Sequence, residues 1–82
     1  MDVLTEREMA MLDFAGRWYR YAGKQEQDMR DEFQLSATRF WQVFNLLIER
    51  PAALAYAPTT VNRYRRLRAE RQAARSARRL AG

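Results

Sequence analysis

The sequence predicts an all-α fold, a small helical domain with a helix-turn-helix and an arginine-rich C-terminal helix. Three observations lead there. Apolar residues recur at helical spacing along most of the 82 residues, and the breaks between these runs carry helix caps and stops at Thr5, Ser36, Pro51 and Pro58. Basic charge is also gathered at one end. Residues 1–60 carry seven basic and nine acidic side chains, a net charge of −2, while 61–82 carry eight basic and one acidic, a net charge of +7. The chain therefore reads as one domain, a helical helix-turn-helix core over 1–58 followed by a basic C-terminal helix or arm over 59–82.

The first helix is expected to start at Thr5, where T-E-R-E forms a capping box with Leu4 and Met9 placed as a hydrophobic staple. Leu12, Phe14, Ala15, Trp18, Tyr19 and Ala22 carry an apolar surface on to Gly23, a natural C-cap. Gly16 lies inside this span and marks close approach of another helix. Phe14, Trp18, Tyr19 and Tyr21 could form a stacking platform for single-stranded nucleic acid, but aromatics at helical spacing in a small domain are expected in the core. Arg17 and Arg20, with Tyr21, lie at the edge of this helix, either solvated or reaching a phosphate.

The stretch Glu26 to Arg50 is a short helix, a tight turn and a longer helix. Lys24 to Glu32 form the shorter one, with Met29 and Phe33 one turn apart and Leu35 in the turn. Its carboxylates read as a solvated face, with Arg30 their neighbouring partner. At Gln34 a helix-turn-helix commonly has Gly, because the turn tends to need a positive φ; Gln there, at a cost of about 1 kcal/mol, predicts a strained or a rearranged turn. Ser36 is the N-cap of the next helix, and Pro51 ends it near Glu49. At 100° per residue Phe40, Val43, Phe44 and Leu47 share the core side. The opposite side presents Thr38, Gln42, Asn45 and Glu49, with Arg39 on the flank. Planar amides pair bidentately with an adenine edge and guanidinium with guanine, so Thr38, Arg39, Gln42 and Asn45 are the candidate base-contacting residues in a major groove. Polar residues outward are equally what any surface helix shows.

After Pro51, AALAY makes one helical turn, with Leu54 and Tyr56 closing the bottom of the core, and Pro58 opens the last helix. Val61, Tyr64 and Leu67 dock its first half. Beyond them arginines interrupt any apolar seam, so the far half projects as an arm and no coiled coil is expected. Arg63, Arg65, Arg66, Arg68, Arg71, Arg75, Arg78 and Arg79 are candidate phosphate contacts, joined by Lys24, Gln25 and Ser36 at the start of the two helix-turn-helix elements.

Composition excludes several classes. With no Cys and no His there is no disulfide, no zinc site of the usual kinds and no thiol or imidazole chemistry, so neither a catalytic residue nor a metal or cofactor is expected. No apolar segment approaches the roughly 20 residues that span a bilayer, and the far half of the arm lacks the large apolar face of a membrane-surface helix. The chain is expected to be soluble, cytoplasmic and nucleoid-associated.

The landmarks LTERE and LDF, RWYRYAG, EFQLSATRFWQVFN, ERPAALAYAP and RYRRLRAERQAARSARRL together resemble a family of small actinobacterial proteins of unknown function. The opening LTERE is also similar to helix-turn-helix regions of sigma factors and response regulators. The resemblance implies an all-α helix-turn-helix regulator of an actinobacterium or its phage, and it departs from the family pattern at Gln34 and at Ala57, where relatives carry a turn former and an Asp. The expected partner is double-stranded DNA, bound by the chain alone or as a homodimer, for transcription regulation or DNA organisation. The rival is a protein-interaction module for RNA polymerase or another acidic host protein, anchored on exposed Trp41 and Ile48.

Overall fold

The computed structural model describes residues 1–81. Gly82, the last residue assigned to the arm, lies outside them. Among the described residues there are five helices and no strand: α1 (Glu6–Ala15), α2 (Ala22–Phe33), α3 (Ala37–Leu47), α4 (Pro51–Tyr56) and α5 (Pro58–Ala81). The fold is all-α.

Local chemistry sets most of the helix starts. Thr5 Oγ1 accepts from the Glu8 N–H at 3.1 Å while Glu8 returns to the Thr5 N–H at 2.8 Å, the expected capping box. Ser36 Oγ accepts from the Arg39 N–H at 3.2 Å. Pro51 is the first residue of α4 and Pro58 of α5. Gln34 ends α2 with φ 58° and ψ 33°, the left-handed conformation that its place in the turn requires.

The first helix ends sooner than expected. It stops at Ala15 rather than Gly23, which lies inside α2. A continuing helix would give the Ala15 carbonyl to the N–H of residue 19. It accepts instead from Tyr64 Oη on α5, at 3.1 Å. Gly16 is the C-cap, and a Cβ there would meet Thr60 Oγ1 at 3.2 Å, so the close approach expected of Gly16 is made by α5.

An aromatic cluster forms the centre. Phe14, Phe33 and Phe40, one from each of α1, α2 and α3, have ring centroids 5.3–5.5 Å apart, and Phe44 continues the cluster to Tyr64 on α5 at 5.0 Å. Around it Met11, Leu12, Met29, Leu47, Ala53 and Val61 are buried. Val43 is half-buried, at the margin of the core face it was expected to share. Tyr56 does not close the core bottom. It is exposed and bonds Asp13 with its hydroxyl at 3.1 Å, while Ala53 and half-buried Leu54 fill that position.

Three helix C-termini are capped from far away in sequence. A helix end leaves backbone carbonyls without partners. Tyr64 serves α1, Arg7 donates to the Phe33 carbonyl of α2 at 2.6 Å, and Arg65 donates Nε and Nη2 to the Ile48 carbonyl of α3 at 2.8 and 2.5 Å. Arg68 adds a bond to the Asn45 carbonyl at 3.4 Å and pairs with Glu49. The N-terminal segment is tied down as well. Asp2 accepts from the Ala52 N–H at 2.8 Å, a cap that Arg50 does not give α4, and Arg50 itself bonds both Asp2 and Glu8.

The far half of α5 leaves the body. Every residue from Ala69 to Ala81 is exposed. The radius of gyration is 14.3 Å, against about 12 Å for a compact chain of this length.

Candidate nucleic-acid interface

The outward face of α3 is held by its two ends. Ser36 fixes the first turn and Arg65 with Arg68 the last, while Phe40, Phe44, Leu47 and Ile48 are packed inward. Thr38, Arg39, Gln42 and Asn45 are all exposed, as their spacing requires. Arg39 reaches Gln42 Oε1 at 3.4 Å, which aligns a guanidinium and an amide side by side. Asn45 differs from the other three. With Arg68, Arg71, Gln72 and Arg75 it lines a concavity of about 280 Å³, so it lies beside the base of the arm. Leu46 shares the outward face and is 75 % exposed, a residue the polar reading of this helix passed over.

The arginines of α5 divide into two groups. Arg65 and Arg68 are half-buried and committed to the end of α3, so their expected place among free phosphate contacts is corrected to a capping one. Their guanidiniums sit there because α5 crosses the C-terminus of α3, where positive charge also complements the helix dipole. Arg63, Arg66, Arg71, Arg75, Arg78 and Arg79 are exposed, and none forms an ion pair among the described residues. The face of α5 that docks through Val61, Tyr64 and Arg68 continues along the arm as Arg71, Arg75 and Arg79 by helical periodicity. The arm is thus basic on the side turned toward α3.

The remaining candidates are less free. Lys24 pairs with Asp28 at 2.9 Å, Gln25 is half-buried, and Ser36 Oγ is engaged as a cap. Asp28 also accepts from the Tyr19 hydroxyl at 2.7 Å. The Lys24 bond, then the Tyr19 bond, hold its carboxyl below the ordinary range. Glu32 takes Arg17 bidentately at 2.7 and 2.9 Å. Asp28 and Glu32 are therefore anchors for the α1–α2 loop, whereas Glu26 and Asp31 stay on an exposed face, and Arg30 pairs with none of the four among the described residues. Sequence offered one signal for this, the alternation of Arg17 and Tyr19, which a helical reading of 16–23 concealed.

Two further expectations fail on burial. Ile48 is fully buried, and Trp41 is half-buried with Phe40, Phe44 and Tyr64 around it at 4.9–5.4 Å, so neither is an exposed anchor. Of the aromatics expected in the core, Phe14 is buried and Tyr19 half-buried, whereas Trp18 and Tyr21 are 82 % and 64 % exposed. No helix of the described residues is long and apolar enough to cross a membrane.

No curated protein and no solved structure matches the chain. Residues 3–76, which include α2, α3 and most of α5, fit DUF3263, described as a protein of unknown function, and the chain belongs to that family.

Proposed function

We propose that this protein binds double-stranded DNA, with α2, the Gln34 turn and α3 acting as a helix-turn-helix and the arm of α5 gripping phosphates. The observation that carries the reading is the basic side of α5. Arg71, Arg75 and Arg79 are exposed, lack acidic partners among the described residues and continue the surface on which the α3 row is displayed. Recognition helices of this class contact bases with their N-terminal residues. Thr38, Arg39 and Gln42 are therefore the base-contacting set, with Asn45 at its margin next to the arm. Arg63, Arg66, Arg71, Arg75, Arg78 and Arg79 supply phosphate contacts, and Lys24, Gln25 and Ser36 lie at the periphery. A protein of this kind acts as a transcriptional regulator or DNA-organising factor of an actinobacterium or its phage, in the nucleoid, and a homodimer would read two half-sites.

The test is binding of the purified chain to pooled genomic duplex fragments across a salt series, with the bound fragments sequenced. One enriched motif supports a sequence-specific regulator, and binding without enrichment supports an organising role. Gln42→Ala should relax the sequence preference, while the double change Arg71→Ala, Arg75→Ala should weaken binding to all sequences and reduce the salt slope by about 2. Absence of binding at low salt would refute the proposal. The second reading, a module for RNA polymerase or another acidic protein, is favoured by exposed Leu46, an apolar anchor amid polar neighbours.

A further inference from the structure

The α1–α2 loop, residues 16–21, is fixed by alternate side chains. Arg17 lies over the Phe14 ring at 4.9 Å while it holds Glu32, and the Tyr19 ring packs on Phe14 at 5.6 Å while its hydroxyl holds Asp28. These inward residues turn their neighbours outward. Trp18 is the most exposed aromatic of the chain, and Arg20 covers one side of exposed Tyr21 at 5.4 Å. Among the described residues no hydrogen bond or ring contact uses the Trp18 indole, yet the loop presents it in one place.

Trp18 stands at the end of a groove between α5 and the body. Two adjoining cavities, each about 360 Å³, share Gln25 and Tyr64. The first lies beside Trp18, Tyr19 and Arg63, and the second beside Trp41, Asn45 and Arg71. From Arg63 to Arg71 the α5 edge of this groove rises about 12 Å. Trp18, Tyr19, Trp41 and Tyr64 thus lie along it with four arginines, of which Arg17 and Arg68 are paired with Glu32 and Glu49 while Arg63 and Arg71 have no acidic partner among the described residues.

This combination suits one chemistry. A basic groove with aromatic faces along it binds single-stranded nucleic acid, since phosphates follow the charge and each unpaired base stacks regardless of sequence. A duplex hides its base faces in the stack and cannot use Trp18 in this way. An acidic peptide would meet the arginines but has no flat π-face for the indole. We propose that the groove between the α1–α2 loop and α5 is a binding site for unpaired nucleotides, with a base stacked on Trp18 and the strand's phosphates on Arg63 and Arg71. The site shares Asn45, Arg63 and Arg71 with the surface proposed for the duplex, but Trp18 lies outside that surface and its stacking does not depend on the duplex reading.

The experiment compares a labelled oligothymidylate with a duplex of equal length, titrated by anisotropy with the full chain and its Trp18→Ala and Trp18→Phe variants. Because Trp18 is exposed, both variants should melt as the parent does. Trp18→Ala should weaken single-strand binding about tenfold or more, leave duplex binding unchanged, and be largely rescued by Trp18→Phe. Stacking should also quench indole fluorescence in the parent, and the Trp18→Phe variant, which keeps only Trp41, should lose that quenching. Single-strand affinity unchanged in Trp18→Ala would overturn the proposal. So would a parent chain that binds no single strand, which would leave Trp18 for a protein partner. Single-strand binding without duplex binding would uphold this site and refute the α3 reading.

Discussion

Gln34 is the one residue with a Cβ at positive φ among the described residues, and it sits where α2 turns into α3. Replacing it tests whether the turn carries strain. Left-handed backbone disfavours a side chain by about 1 kcal/mol relative to Gly. Against this, the Gln34 amide donates to the Asp31 carbonyl at 3.1 Å on the exposed surface, a bond worth about 0.5 kcal/mol at the low end for such contacts. Gln34→Gly relieves the strain and loses the bond, so it should gain about 0.5 kcal/mol. Gln34→Ala keeps the strain and loses the bond, and should lose about as much. The difference between the two variants, about 1 kcal/mol, does not depend on the bond because neither variant has it. In a domain of this size that is roughly 4–8 °C in melting temperature. Thermal melts followed by circular dichroism would resolve it. An Ala variant melting at or above the Gly variant would refute the argument that the turn is strained.

Two further outcomes follow from the tertiary caps. Arg65→Ala leaves the Ile48 carbonyl without its two donors and should cost about 1–2 kcal/mol, with Arg65→Lys intermediate, read in the same melts; a variant as stable as the parent would mean that water caps α3 equally well. Acid should loosen the N-terminal tie. The carboxyl of Asp2 is held below its ordinary range by the Ala52 N–H and then by Arg50, and that of Glu8 by the Thr5 N–H, with Arg50 contributing. The unfolded chain therefore binds more protons than the folded one as these groups titrate. Their stabilisation is complete above the ordinary carboxylate range, about pH 4–5, and fades as pH falls through the lowered values. The double change Asp2→Asn, Glu8→Gln should flatten melting temperature against pH on the acid side, and an unaltered acid limb would count against the tie.

The sequence by itself determined what depends on near neighbours. The Thr5 capping box, the Ser36 cap and the helix start at Pro58 are settled within about four residues of chain, whereas α3 ends at Leu47, short of the Glu49 at which Pro51 was expected to stop it. Helical spacing likewise determined that Phe40, Phe44 and Leu47 face inward and that Thr38, Arg39, Gln42 and Asn45 face out. Only the tertiary structure decided what depends on where helices cross. Periodicity carried α1 through to Gly23, but α5 approaches at Gly16 and Tyr64 takes the Ala15 carbonyl, so the helix ends and Trp18 is left outside. Eight arginines in the last segment are alike in sequence. Arg65 and Arg68 became caps because the end of α3 lies within their reach, while Arg71 and Arg75, farther along α5, stay exposed and without an acidic partner among the described residues. A carbonyl left open at a helix end takes whichever donor the packing brings to it, and local sequence does not encode that meeting.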